Sequence, residues 1–127
     1  MSGEAEQRLE KADDLIAKLG KLDAGEVPEA VVHLAYFAML HAASAALIAT
    51  GGETPKRHGK LIGAFGRIIK DRDDIDKSMG RTFNRAYDIR CAADYDTAPG
   101  DMINAAKNLA AAAPGFVETC RRIVKGA

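Results

Sequence analysis

Apolar residues recur at three- and four-residue intervals along most of the chain, a spacing that predicts helices rather than strands. The first helix is expected over about Glu4–Leu19, with Leu9, Ala12, Leu15, Ile16 and Leu19 on one face. Gly20 and Gly25 flank its exit, and Pro28 suits the first position of the next helix. That second helix is expected from about Pro28 to Thr50, where Val32, Tyr36, Met39, Leu40, Ala43 and Leu47 keep helical register and Gly51-Gly52 ends the run. Its apolar density predicts a central place.

A third helix is expected over about Lys56–Lys70, burying Leu61, Ile62, Phe65, Ile68 and Ile69. The charged stretch Asp71–Asp74 separates it from a fourth, about Lys77–Ala93, with Asp76 or Ser78 as cap and Met79, Phe83, Ala86 and Ile89 inward. This helix, too, is expected to pack centrally. Thr97–Gly100 reads as a turn and Asp101 as the cap of a fifth helix. Pro114-Gly115 is expected to kink or break that helix before Phe116, Val117, Cys120, Ile123 and Val124. The expected fold is all-α, an up-and-down bundle of four to five helices in a single domain spanning 1–127.

Composition narrows the function classes. Eighteen basic residues balance eighteen acidic ones, which excludes bulk electrostatic binding of nucleic acid but leaves room for a local patch. Cys91 and Cys120 lack metal spacing and, without a secretory signal, fit a reducing cytoplasm. The longest apolar run, around Ala42–Thr50, reads as too short to cross a bilayer, so no membrane role is expected.

Candidate chemistry sits on three helices. His33, Phe37 and His41 fall at i, i+4 and i+8 on one stripe of the second helix, with Ser44 nearby. They suit an interface; no Glu-x-x-His pair accompanies them, so no metal or other cofactor is expected. Lys56, Arg57, His58 and Lys60 open the third helix, and Arg67, Lys70 and Arg72 continue the charge, as a phosphate contact or as a solvated face. Arg90 and Asp94 share a face of the fourth helix, either as a simple ion pair or as part of a binding cluster with Tyr95 and His58. No Gly-Lys-Ser/Thr loop and no glycine-flanked serine elbow occurs.

Three segments together resemble the HEPN domain family, the "higher eukaryotes and prokaryotes nucleotide-binding" helical domains. They are Ala35-Tyr36-Phe37-Ala38-Met39-Leu40-His41, Thr54-Pro55-Lys56-Arg57-His58-Gly59, and the ending Arg90-Cys91-Ala92-Ala93-Asp94-Tyr95. The similarity runs over about residues 5–125. The resemblance implies a helical bundle, commonly a homodimer. Its members are often toxins paired with a small nucleotidyltransferase antitoxin, and some are metal-independent ribonucleases. Those ribonucleases use an arginine followed four to six residues later by a histidine. The arginine stabilises phosphate charge and the histidine moves a proton.

All three histidines of this chain precede Arg90, Asp94 stands in the expected histidine region, and Leu34 stands where the family carries an arginine. The resemblance therefore implies a binding or toxin-type component of a toxin–antitoxin or nucleotidyltransferase-associated pair, with RNA or nucleotide as ligand and weak or absent RNA cleavage. The competing readings are a ribonuclease with a non-standard site at Arg90, Asp94, Tyr95 and His58, and a plain helical interaction protein. In the paired reading Tyr95 is a contact or a modification target for the nucleotidyltransferase.

Overall fold

The computed structural model describes residues 3–52, 54, 57–95 and 102–127, with the backbone alone at Tyr95. It is an up-and-down bundle of five helices: α1 (Glu4–Leu19), α2 (Pro28–Ala49), α3 (His58–Lys70), α4 (Ser78–Tyr95) and α5 (Met102–Gly126). No strand occurs among the described residues. The expected 97–100 turn and the Asp101 cap lie outside the described residues, as do Pro55 and Lys56.

Local chemistry sets most helix limits. The Gly3 N–H reaches the Glu6 carboxylate at 3.0 Å, closing the first turn of α1. Pro28 occupies the start of α2, where its missing N–H has no helical partner to lose. At the other end Gly51 adopts φ +84°, the left-handed conformation glycine tolerates. Gly52 N–H then bonds the Leu47 carbonyl at 2.8 Å and Gly51 N–H that of Ile48 at 3.1 Å, the paired bonds of a Schellman ending. Asp76 accepts the Ser78 N–H at 2.9 Å and caps α4.

Three expectations need correction. First, of the kink or break expected at Pro114, the break does not occur: α5 is one continuous helix through it. The proline is exposed and its flanks Ala113 and Phe116 are buried, so packing on both sides holds the helix across the missing N–H. Second, the centre of the bundle is α2 between α5 and α1, its most extensive partners; α4 packs more lightly on α2, α3 and α5. The small side chains Ala35, Ala38, Ala42, Ala43, Ala45 and Ala46 are fully buried and admit this close approach on both sides. Third, α2 as a whole is long and apolar enough to cross a membrane by length and composition, although 67% of its most apolar stretch is buried within the bundle. Counting only uninterrupted apolar residues understated it.

The core joins α3, α4 and α5 through Phe65, Phe83 and Phe116, whose ring centroids lie 5.3–5.6 Å apart. Tyr36 of α2 extends this stack to Phe83 at 6.1 Å. Such edge-on and tilted pairs add to simple area burial. The aromatic column ends at the surface beside Arg90.

Candidate functional site

Residues from three helices converge at the outer end of that column. Arg90 and Asp94 lie one turn apart on α4. Their ion pair is loose, with Arg90 Nε 3.6 Å from Asp94 Oδ2, beyond hydrogen-bonding distance. The closer partner of Asp94 comes from α2: His33 Nε2 donates to Asp94 Oδ1 at 2.8 Å. One carboxylate therefore orients an imidazole through one oxygen and faces a guanidinium with the other.

Arg90 rests on aromatic faces. Its guanidinium carbon lies 5.8 Å from the Tyr36 ring centroid and 5.6 Å from that of Phe37, within cation–π range. Its Nε is shielded from solvent and has no hydrogen-bond partner among the described residues. The stacked rings thus position the guanidinium without consuming its hydrogen bonds. The Tyr36 hydroxyl is likewise buried and unpartnered, and burial pushes it well above the ordinary phenol range.

His58, the first residue of α3, completes the cluster. Its ring lies 5.6 Å from Tyr36, 6.1 Å from Phe37 and 6.2 Å from Tyr87. Burial, and then the nearby charge of Arg90, hold its pKa below that of an ordinary histidine, so it is neutral at neutral pH and one ring nitrogen is free to accept a proton. Tyr87 lies one turn before Cys91 on α4, and the neighbouring thiol raises the phenol pKa above its ordinary value.

The sequence-predicted residues are thus divided in a new way. Arg90, Asp94 and His58 come together as a cluster, and His33 and Phe37, expected at an interface, belong to it. His41, expected on the same stripe, turns instead to α1, where Arg8 Nη1 donates to His41 Nδ1 at 3.2 Å. The part expected of the Tyr95 side chain lies outside the described residues. Tyr36 and Tyr87 were missed as site residues. Tyr36 reads as core from its apolar register, although its i+3 spacing from His33 was a usable signal. Arg57, Lys60, Arg67 and Lys70 remain exposed. Among the described residues no three His, Cys, Asp or Glu side chains gather as a metal site would require.

Chemically, the cluster offers a positioned cation without a close hydrogen-bonded carboxylate, one carboxylate-oriented imidazole, one neutral imidazole, and stacked rings beside them. That set suits a phosphate with an attached base.

Residues 4–123 match the family model described as "HEPN domain". The "Putative toxin MJ0605" of Methanocaldococcus jannaschii is 30% identical over 94 residues, 74% of this chain and 69% of that protein. The "Putative toxin MJ0142" of the same organism is 28% identical over 93 residues, 73% of this chain and 63% of that protein. A "UPF0332 protein" of Thermotoga maritima is 26% identical over 94 residues, covering 74% and 70%.

Proposed function

Since this chain belongs to the HEPN domain family, we propose that it is a toxin-type component of a toxin–antitoxin or nucleotidyltransferase-associated pair that binds RNA at Arg90. The relatives named as toxins support the toxin-type reading. The observation that carries the RNA reading is the gathering of Arg90, Asp94, His33 and His58 from three helices on the Tyr36–Phe37 bed. Arg90 takes the phosphate, Asp94 and His33 steady one another beside it, and the exposed edge of the aromatic bed receives a base. In this reading residues 1–127 form a single HEPN-like domain acting as a homodimer in the cytoplasm. Light scattering at micromolar concentration should find the dimer.

One observation favours a second reading, a metal-independent ribonuclease. The arginine-then-histidine spacing is absent, yet His33 stands 2.8 Å from Asp94 and His58 stands near Arg90. Histidines from α2 and α3 would take the proton-transfer part that the family assigns to a residue of α4. His58, neutral, would accept the proton of the ribose 2′-hydroxyl as that oxygen attacks the phosphorus, Arg90 would stabilise the phosphorane charge, and His33 would supply a proton to the 5′-oxygen as its bond to phosphorus breaks.

RNA binding and cleavage, both measured in excess chelator, test the two readings. Wild type should bind a single-stranded oligoribonucleotide, and Arg90→Ala should weaken binding about tenfold, the loss of one charge-assisted contact. Absence of wild-type binding would reject the RNA reading. Cleavage by wild type that both His33→Ala and Arg90→Ala abolish would establish the ribonuclease instead of the binding component.

A further inference from the structure

His58 faces two ways. Besides the Arg90 cluster it lines a groove of about 380 Å³ between α1, α2 and α3, whose other polar residues are Glu4, Arg8, Ser44 and Thr54. Nothing in the Arg90 chemistry uses this groove.

Two features give it a ligand preference. Arg8 is held by His41 rather than by a carboxylate, its Nη1 donating to His41 Nδ1 at 3.2 Å. Burial, and then the charge of Arg8, lower the His41 pKa, so this partner is neutral at neutral pH. Among the described residues no carboxylate oxygen lies within ion-pair distance of Arg8. Arg8 is therefore an oriented cation whose charge is uncompensated at contact range. The Thr54 hydroxyl is shielded from solvent and has no hydrogen-bond partner among the described residues. Ser44 is already committed, donating to the Leu40 carbonyl at 2.8 Å. Glu4 opposes an anion from the rim.

We propose that this groove is a second phosphate subsite, in which Arg8 and Thr54 hold the phosphodiester adjacent to the one at Arg90 on a single-stranded RNA, with His58 between them. The inference rests on the RNA reading of Arg90 and extends it. A single strand fits because its bases are free to stack on the half-buried Phe37 and the His33 ring parallel to it, at 6.4 Å and 20°. The zero net charge of the chain restricts the electrostatic contribution to these few contacts.

Fluorescence anisotropy with a fluorescein-labelled oligouridylate of about ten nucleotides tests the assignment, with AMP and inorganic phosphate as unlabelled competitors. Arg8→Met should weaken strand binding about tenfold and reduce the slope of log Kd against log salt by about 0.7, the value for one phosphate on a single strand. Glu4→Gln should act oppositely and tighten binding about twofold, and it decides the matter if Arg8→Met fails to fold. Competition by AMP should change little in either variant. Strand binding unchanged by Arg8→Met but weakened by Arg90→Met would reject the second subsite and leave the Arg90 reading intact. Wild type that binds no strand would reject both. AMP competition weakened as much as strand binding would make the groove a free-nucleotide pocket and overturn the proposal.

Discussion

Arg90 combines a loose ion pair with a stacked position, and the two contribute differently to stability. Its 3.6 Å approach to Asp94 contributes under about 1 kcal/mol, as partly exposed pairs do, and the cation–π contacts add about the same. Arg90→Ala should therefore cost about 1–2 kcal/mol in urea denaturation. A loss of 3 kcal/mol or more, the scale about which buried charge partners act, would make Arg90 a structural residue instead. His58 gives an independent readout of the same geometry. Two causes depress its pKa, burial first and Arg90 second, so Arg90→Met should raise it while leaving it below the ordinary value. Imidazole titration by NMR measures the shift directly; a value unmoved by Arg90→Met would place the guanidinium away from the ring. Because the folded pKa lies below the unfolded one, His58 and His41 both favour the folded state most above the ordinary histidine pKa of about 6.5. That contribution falls as pH drops through 6.5 towards and past the folded values.

Between α3 and α4 a single side chain does the work of a cap. Lys77 Nζ donates to the carbonyls of Ile69, Lys70 and Arg72, each at 2.7 Å, satisfying acceptors that the end of α3 leaves open. Lys77→Met keeps the stem and removes all three bonds. It should cost about 1 kcal/mol, because the exposed carbonyls regain water, and should raise amide exchange in the last turn of α3. Unchanged exchange there would show that Arg72 and Asp74, paired at 3.0 Å, hold the turn without it. The α3 terminus matters to the site because the same helix begins at His58, so its rigidity fixes one edge of the cluster.

At the scale of the molecule, four helices are tied by one aromatic column. Phe116 is 1% exposed and its ring lies 5.3 Å from Phe65 and 5.4 Å from Phe83. Phe116→Ala opens a cavity that rigid helices close poorly and should cost about 3–5 kcal/mol. Equilibrium unfolding should show that loss as one transition. Since the column runs through Phe83 and Tyr36 to Arg90, the same variant should also loosen the RNA binding proposed for Arg90. Full stability in Phe116→Ala would mean that α5 repacks, a result the contacts of α5 with α2 argue against.

The chain itself determined the helices. Leu9, Ala12, Leu15 and Leu19 marked the buried face of α1, Gly51-Gly52 marked the end of α2, and Asp76 marked the start of α4, because stripes and caps are set by residues within a turn or two of one another. The shared face of Arg90 and Asp94 was legible for the same reason. What remained hidden was which helix each face would meet. His33 and His41 read as one stripe, but eight residues of α-helix advance about 12 Å and turn about 80° beyond two full turns. Tertiary packing therefore set His33 against Asp94 of α4, sixty-one positions away in the chain, and His41 against Arg8 of α1. It likewise set Tyr36, fully buried in the core as its register predicts, beneath the Arg90 guanidinium, and moved α4 from the expected centre of the bundle to its flank. Helical periodicity is local and fixes a side chain only relative to its own axis. The chemistry of Arg90 depends on how α2, α3 and α4 are rotated against each other, which buried alanines and the aromatic column decide together.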